Sequence, residues 1–176
     1  MIYLRYKSSK IIVAIVTLLS LLSLSLTFKQ KKVIQPIKFN HKAHIEAEEM
    51  ECSDCHIKVK ESAHATLPLI NICIDCHSEP PEELKEESRE EEEKVRQYNQ
   101  ANKQIPWVKV NRMPGHVYFS HKAHVSWANM KCENCHRDYT KVEEPVSEPD
   151  VKLGMYDCIQ CHLKEKAEVD CYTCHR

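Results

Sequence analysis

Residues 39–56 read FNHKAHIEAEEMECSDCH, and residues 119–136 read FSHKAHVSWANMKCENCH. Aligned without a gap, nine of the eighteen positions are identical: Phe39/Phe119, His41/His121, Lys42/Lys122, Ala43/Ala123, His44/His124, Met50/Met130 and the closing Cys, Cys and His. Each copy ends in C-x-x-C-H, the attachment pattern for c-type haem. The two sulfurs form thioethers to the porphyrin, and the adjacent histidine takes one axial position on the iron. A histidine from elsewhere in the chain can close the other.

Three more such signatures follow the same pattern. The set is Cys52-Cys55-His56, Cys73-Cys76-His77, Cys132-Cys135-His136, Cys158-Cys161-His162 and Cys171-Cys174-His175, which uses all ten cysteines. A zinc ribbon competes, because Cys52 to Cys76 has C-x2-C-x17-C-x2-C spacing. A disulfide scaffold and a thiol redox motif are the other rivals. None of the three requires histidine directly after every pair. Histidine is 11 of 176 residues, so five such hits would arise by chance roughly once in a million. Five covalently bound haem c groups are therefore expected.

Five histidines follow the cysteine pairs. Six remain: His41, His44, His64, His116, His121 and His124. If every iron carries two imidazoles, one of the six is spare. Two histidines three residues apart on one helical turn cannot easily serve the same iron. Each H-K-A-H pair should reach two haems and tie them together. Met50 and Met130 lie two residues before a cysteine, too close for easy ligation, and read as packing residues. Met113 and Met155 are each an alternative axial ligand in place of a histidine.

The chain has two glycines, three phenylalanines and 29% charged residues, so a conventional apolar core would be thin. Residues 39–176 give fewer than thirty residues per haem, too few for separate folded shells. The expected fold is mostly irregular with short α-helices at the attachment sites and almost no strand. Two haem-packed modules are joined by a helix, with one N-terminal transmembrane helix, and the chain unfolds without haem. The formal net charge is −1, and beyond the first three basic residues 22 basic face 26 acidic ones, or −4. Nucleic-acid binding is unfavourable on that balance.

Residues 1–32 are expected to anchor the chain. Residues 11–28, IIVAIVTLLSLLSLSLTF, are apolar apart from Ser and Thr, with Arg5, Lys7 and Lys10 before and Lys29, Lys31 and Lys32 after. As helix they span about 27 Å, enough for the hydrocarbon layer. A cleaved signal peptide is the rival, although small-x-small Ser23-Leu24-Ser25 lies inside the apolar run. Either way the haem domain faces the periplasm, beside the cytoplasmic membrane. Residues 33–77 form a dihaem module. Residues 78–105 form an acidic helical linker, with Glu at eight of the twelve positions 82–93 and candidate i,i+4 pairs Glu90–Lys94 and Glu92–Arg96. It reads as a solvated spacer, or as a docking face for a basic partner. Residues 106–176 form a trihaem module. Its start, with Pro106-Trp107, Met113-Pro114-Gly115 and Val117-Tyr118-Phe119, reads as an extended arm packed on a haem.

The F-[NS]-H-K-A-H … C-x-x-C-H block resembles the class III multihaem cytochromes c. In that family the first His of H-x-x-H serves the nearest haem and the second serves a later one. The resemblance implies pairs His41/His56, His44/His77, His121/His136 and His124/His162. It also maps His64 onto the haem of His175, which leaves His116 spare. The block occurs twice here and once in the family core. A closer likeness covers nearly the whole chain, through the anchor, the two modules and the P-W-V … M-P-G-H-V-Y-F-S-H-K-A-H-V arm. It is similar to the pentahaem cytochrome subunits of alternative complex III and of related molybdopterin-type membrane oxidoreductases. This implies a multisubunit membrane complex with an iron–sulfur protein and a multispanning quinol-binding subunit. It also implies a periplasmic cytochrome or terminal oxidase as acceptor.

Iron held by two imidazoles passes electrons and has no open position for a substrate. The expected role is an electron-transfer subunit in a respiratory chain rather than an enzyme, carrying electrons from a quinol-oxidising complex to a periplasmic acceptor. The alternatives are a multihaem reductase with one open haem and a free-standing periplasmic shuttle. A reductase is disfavoured because all five signatures end in His. A single-helix anchored quinol dehydrogenase also fits poorly: Cys52 lies 24 residues past Phe28, and Ile57-Lys58, not a ligand Met, follow His56.

Overall fold

The computed structural model describes residues 32–80, 82, 85–151 and 153–175. The apolar segment 11–28, the expected anchor, lies outside these. Among the described residues no helix is long and apolar enough to cross a membrane. Residues 33–176 form one compact unit.

The elements are α1 (His41–Ala47), α2 (Cys52–Cys55), α3 (Ile70–His77), α4 (Glu86–Gln100), a π-helix (Lys122–Trp127), two 3-10 turns (Cys132–Asn134 and Tyr139–Lys141), α5 (Met155–Lys164) and α6 (Cys171–Cys174). The only strand-like feature among the described residues is an isolated bridge from Val117 to His175. The expectation of short helices at the attachment sites, irregular connections and almost no strand is met.

The repeated sequence folds to nearly the same local structure twice. Asn40 Oδ1 accepts from the Ala43 amide at 2.9 Å, and Ser120 Oγ accepts from Ala123 at 3.3 Å. A short polar side chain at that position satisfies an amide that the first helical turn leaves free. Each helix ends on a residue with positive φ, Glu49 at 53° and Asn129 at 51°. The Met50 and Met130 amides then turn back onto the His44 and His124 carbonyls, at 3.3 and 2.9 Å, the usual closure of a left-handed helix end. The copies differ in winding: the first is α-helical, and the second widens to a π-helix that the Ala128 amide closes onto Ala123 O.

The two copies interlock reciprocally. The Lys42 amide donates to Val142 O at 3.0 Å, and the Lys122 amide donates to Ser62 O at 3.0 Å. Lys42 and Lys122 are equivalent positions, and Ser62 and Val142 each lie six residues after their own signature histidine. Each H-K-A-H helix therefore sits on the loop behind the other copy's haem signature. Lys42 Nζ to Glu143 at 2.8 Å and Ser126 Oγ to Lys60 O at 2.6 Å reinforce the two contacts.

The conventional core is small. Ile37, Ile70, Val95 and Ile105 are buried together, with Cys73, Ile74, Tyr98 and Trp107 packed around them. Val95 lies on α4 and Ile70 on α3, so the acidic helix is part of this core as well as a connection. Its N-terminal Glu86 and Glu87 suit the positive end of the helix dipole. On its packed side Glu91 and Arg96 are buried. Arg96 bonds Glu92 at 3.4 Å and Glu93 at 3.0 Å, whereas Lys94 pairs with Glu91 at 2.6 Å instead of the expected Glu90. Gln35 bridges distant segments, donating to Val108 O and Val146 O and accepting from the Val108 amide.

Candidate haem-binding site

At each signature the chain makes one helical turn, and this brings the histidine back beside its cysteines. The His56, His136 and His175 amides donate to the carbonyls of Cys52, Cys132 and Cys171, all at 2.9 Å. The residue before the first cysteine is capped by the residue before the second. The Glu51 amide meets Asp54 Oδ2 at 2.8 Å, and the Lys131 amide meets Asn134 Oδ1 at 2.9 Å. Such caps satisfy amides that a very short helix would leave exposed.

The other histidines converge on the signature histidines. The rings of His44 and His77 have centroids 6.0 Å apart, those of His124 and His162 are 6.1 Å apart, and those of His116 and His175 are 5.6 Å apart. With metal–imidazole bonds of about 2.0 Å, two rings on opposite sides of one metal would stand about 6 Å apart. Burial lowers the pKa of His41 to about 4, and the charged neighbour that lowers it most is His56. Burial likewise lowers His121, whose Ala63 hydrogen bond works against the shift and whose foremost charged neighbour is His136. The two members of each H-x-x-H pair thus face different signature histidines. His64 is exposed, and the ring facing His175 is that of His116.

Orientation is fixed from behind. His44 Nδ1 contacts Asn40 O at 2.8 Å, His124 Nδ1 contacts Ser120 O at 2.7 Å and His121 Nδ1 contacts Ala63 O at 3.1 Å. On the signature side, His56 Nδ1 meets Thr66 O at 2.7 Å and His162 Nδ1 meets Glu168 O at 2.6 Å. A carbonyl at Nδ1 keeps the proton there and leaves Nε2 with the free lone pair a metal needs. Phe39 and Phe119 stack on His44 and His124, with centroids 4.4 and 4.6 Å apart. Each also meets His41 or His121 edge-on at 4.8 and 4.9 Å. This accounts for the identical phenylalanine in the two copies.

The ten cysteines are all free of disulfides. Among the described residues no three of His, Cys, Asp and Glu gather as a direct metal site. Instead the cysteines form a row. Partial burial raises the Cys73 thiol, and the Cys55 thiol next to it adds to the shift. Burial pushes Cys52 up to about 11, helped by the charge and hydrogen bond of Cys132. Burial raises Cys135 and then Cys161 and Cys158 raise it further, and burial raises Cys158 with Cys174 beside it. The order along the row is Cys73/Cys76, Cys52/Cys55, Cys132/Cys135, Cys158/Cys161, Cys171/Cys174. The join between the two repeats is made by their equivalent first cysteines. The arm ending at Phe119 runs to the far end, where the Tyr118 amide donates to Cys174 O at 2.7 Å.

These residues fit haem c. Paired imidazoles stand at the right spacing with two thiols beside one of them. Large apolar side chains such as Tyr172, Tyr156 and Met155 are 82%, 72% and 67% exposed around the last two sites, as expected of surfaces that pack on a flat apolar group. Haem iron supplies one-electron chemistry; the protein supplies ligands, orientation and local charge.

Two contacts behind signature histidines have no sequence signature. His77 Nδ1 lies 3.3 Å from Glu92 Oε1 of α4, and His136 Nδ1 lies 3.5 Å from Asp150 Oδ2. The second distance is long for a hydrogen bond, and that Nδ1 has no other partner. Asp150 is held by Asn111 Nδ2 at 2.6 Å and the Arg137 amide at 3.3 Å. Burial works to raise its carboxyl, but these bonds, with that of Tyr139, prevail and lower it. Tyr139 is pushed up to about 12 by burial and then by Asp150.

Residues 24–105 match the profile of the class III cytochrome c family, and residues 117–176 match that of cytochrome c7 and related cytochromes c. The chain is also similar to the multihaem cytochrome c subunit of menaquinone reductase from Nitratidesulfovibrio vulgaris (strain Hildenborough). The two are 29% identical over 172 residues, covering 85% of this chain and 79% of the relative. Together with the facing imidazoles and the five cysteine pairs, these likenesses make the chain similar to multihaem c-type cytochromes of the class III and c7 kind.

Proposed function

We propose that the chain is a pentahaem electron-transfer subunit of a membrane quinone oxidoreductase complex. Its five haem c groups are held by Cys52/Cys55, Cys73/Cys76, Cys132/Cys135, Cys158/Cys161 and Cys171/Cys174. His56, His77, His136, His162 and His175 are the near ligands. His41, His44, His121, His124 and His116 are the far ligands in that order, with His116 taking the role that the family resemblance gives to His64. The single observation that carries the reading is the unbroken row of attachment cysteines. It gives every site a neighbour and gives the chain two ends, at Cys76 and Cys171, both exposed. With an imidazole on each side of every iron the chain conducts electrons and has no place for a substrate, so it is not itself an enzyme.

Residues 11–28 serve as an uncleaved anchor that holds the haem domain on the periplasmic face of the cytoplasmic membrane. The partners are an iron–sulfur subunit and a multispanning quinone-binding subunit, in an assembly of the alternative complex III or molybdopterin-oxidoreductase kind. The name of the Nitratidesulfovibrio relative favours electrons running to menaquinone. The likeness of the arm to alternative complex III subunits implies the opposite direction, from quinol to a periplasmic cytochrome or terminal oxidase. Purifying the complex from native membranes tests the reading. Intact mass should show five haems on this chain, and iron–sulfur and quinone-binding subunits should co-migrate. Chemically reduced complex should reduce added menaquinone; haem reduction by menaquinol alone would reverse the direction. A colourless chain, or one carrying zinc without iron, would overturn the proposal.

A further inference from the structure

Among the signature histidines, His56 and His162 lean on backbone carbonyls through Nδ1, and His77 and His136 face carboxylates. The far histidines His44, His121 and His124 also lean on carbonyls. The two carboxylates are well enclosed, with the Glu92 side chain 16% exposed and that of Asp150 3% exposed. Each is fixed by a second partner. Arg96, itself buried, reaches Glu92 Oε2 at 3.4 Å, and Asn111 holds Asp150 Oδ1 at 2.6 Å. Neither is an incidental surface charge near a ring.

A carbonyl orients an imidazole. A carboxylate also sets a negative charge beside the ring, which favours the oxidised metal. Low exposure strengthens the effect, because solvent does not screen the charge. We propose that Glu92 and Asp150 are positioning residues that set the sites of His77 and His136 to more reducing potentials than the carbonyl-backed sites of His56 and His162. The acidic helix is then more than a spacer, because it carries into the first module the carboxylate that tunes the site at one end of the row. Along the row the sites alternate: carboxylate-backed, carbonyl-backed, carboxylate-backed, carbonyl-backed.

The inference rests on the pentahaem reading, and the test separates the two. Glu92→Gln in the haem-loaded full chain keeps the side chain's size and removes its charge. Glu93→Gln is the control, because Glu93 shares Arg96 but has no described contact with His77. Potentiometric titration followed by visible absorbance should show one of five components moved upward in Glu92→Gln and none in Glu93→Gln. Low-temperature electron paramagnetic resonance should show five low-spin irons in both. Asp150→Asn should move a different component upward. It is the less conservative change, since its amide must also accommodate the Arg137 N–H now facing Asp150 Oδ2. An unchanged set of potentials in Glu92→Gln, with five low-spin haems intact, would overturn the inference and leave the haem reading standing. Equal shifts in Glu92→Gln and Glu93→Gln would overturn it too, by making the effect one of net charge. A wild-type chain without five haems would remove its basis.

Discussion

The rings of His116 and His175 lie nearly parallel, 13° apart, with centroids separated by 5.6 Å. The antiparallel bridge between Val117 and His175 and the Tyr118 amide bond to Cys174 O hold this pair in register. His64 sits instead on the loop that receives the second repeat, exposed, with its amide bonded to Ser62 Oγ. Replacing His116 with Ala should therefore turn one haem of five high-spin in electron paramagnetic resonance, whereas His64→Ala should leave all five low-spin. A high-spin signal in the His64 variant alone would restore the family-derived ligand map.

Ile105 is 5% exposed and packs with Ile37, Ile70 and Val95. It is one of few apolar anchors in a chain whose described residues include no fully buried side chain. Ile105→Ala should cost about 2–4 kcal/mol, by lost transfer energy and an unfilled cavity. Because that cluster holds α4 against α3, limited proteolysis within residues 86–100 should speed up as well. Wild-type cleavage rates with a lowered denaturation midpoint would separate global from local loosening.

The repeat, the five signatures and the short helices at them were legible because each is written in a few adjacent residues. Asn40 and Ser120 as caps, and Phe39 and Phe119 against their histidines, follow from the same local pattern. The partnership of Lys42 with Val142 and of Lys122 with Ser62 was not legible. Contacts between distant segments leave no period and no motif, and backbone carbonyls accept from any residue. The same holds for Glu92 behind His77, one glutamate among eight in twelve positions, and for the choice between His64 and His116, each a lone histidine outside H-x-x-H. The ion pairs of α4 were half legible. Spacing allowed both Glu90 and Glu91 as partners for Lys94, and the buried position of Glu91 beside the Lys38 amide decided between them.

Glu91 makes stability depend on acid. Burial would raise its carboxyl, but hydrogen bonds from Lys94 and the Lys38 amide, with the charges of Lys94 and Lys38, more than offset this and lower it. A carboxyl lowered in the folded state contributes stability above its unfolded value of about 4.3 and loses it as pH falls through the folded value. Glu87 lies nearby and bonds Lys38 in turn, also with a lowered pKa. Glu91→Gln should therefore be less stable than wild type at pH 7 by about 1 kcal/mol. The gap should close as pH drops below about 4. Denaturant titrations of the haem-loaded protein at both pH values check this, and a gap that widens in acid would contradict it.

The two repeats hold each other through a hydroxyl as well as through backbone amides. Ser126 Oγ donates to Lys60 O at 2.6 Å across the interlock, one turn beyond the Lys122 amide bond to Ser62 O. Both bonds bring the second repeat against the loop behind the first repeat's signature, where the equivalent cysteines Cys52 and Cys132 face each other. Removing one such hydroxyl should cost about 0.5–1 kcal/mol, a fall in Tm of roughly 1–4 °C for a chain of this size. The same change should loosen the join between the first and second halves of the row. The weak magnetic coupling between haems on either side of that join, read from electron paramagnetic resonance line broadening, should fall in Ser126→Ala. The coupling between the last two sites, tied by neighbouring Cys158 and Cys174, should stay as it is. A drop in both couplings would mean that the substitution disturbs the whole unit, and that the two repeats are not seated on one another through this bond.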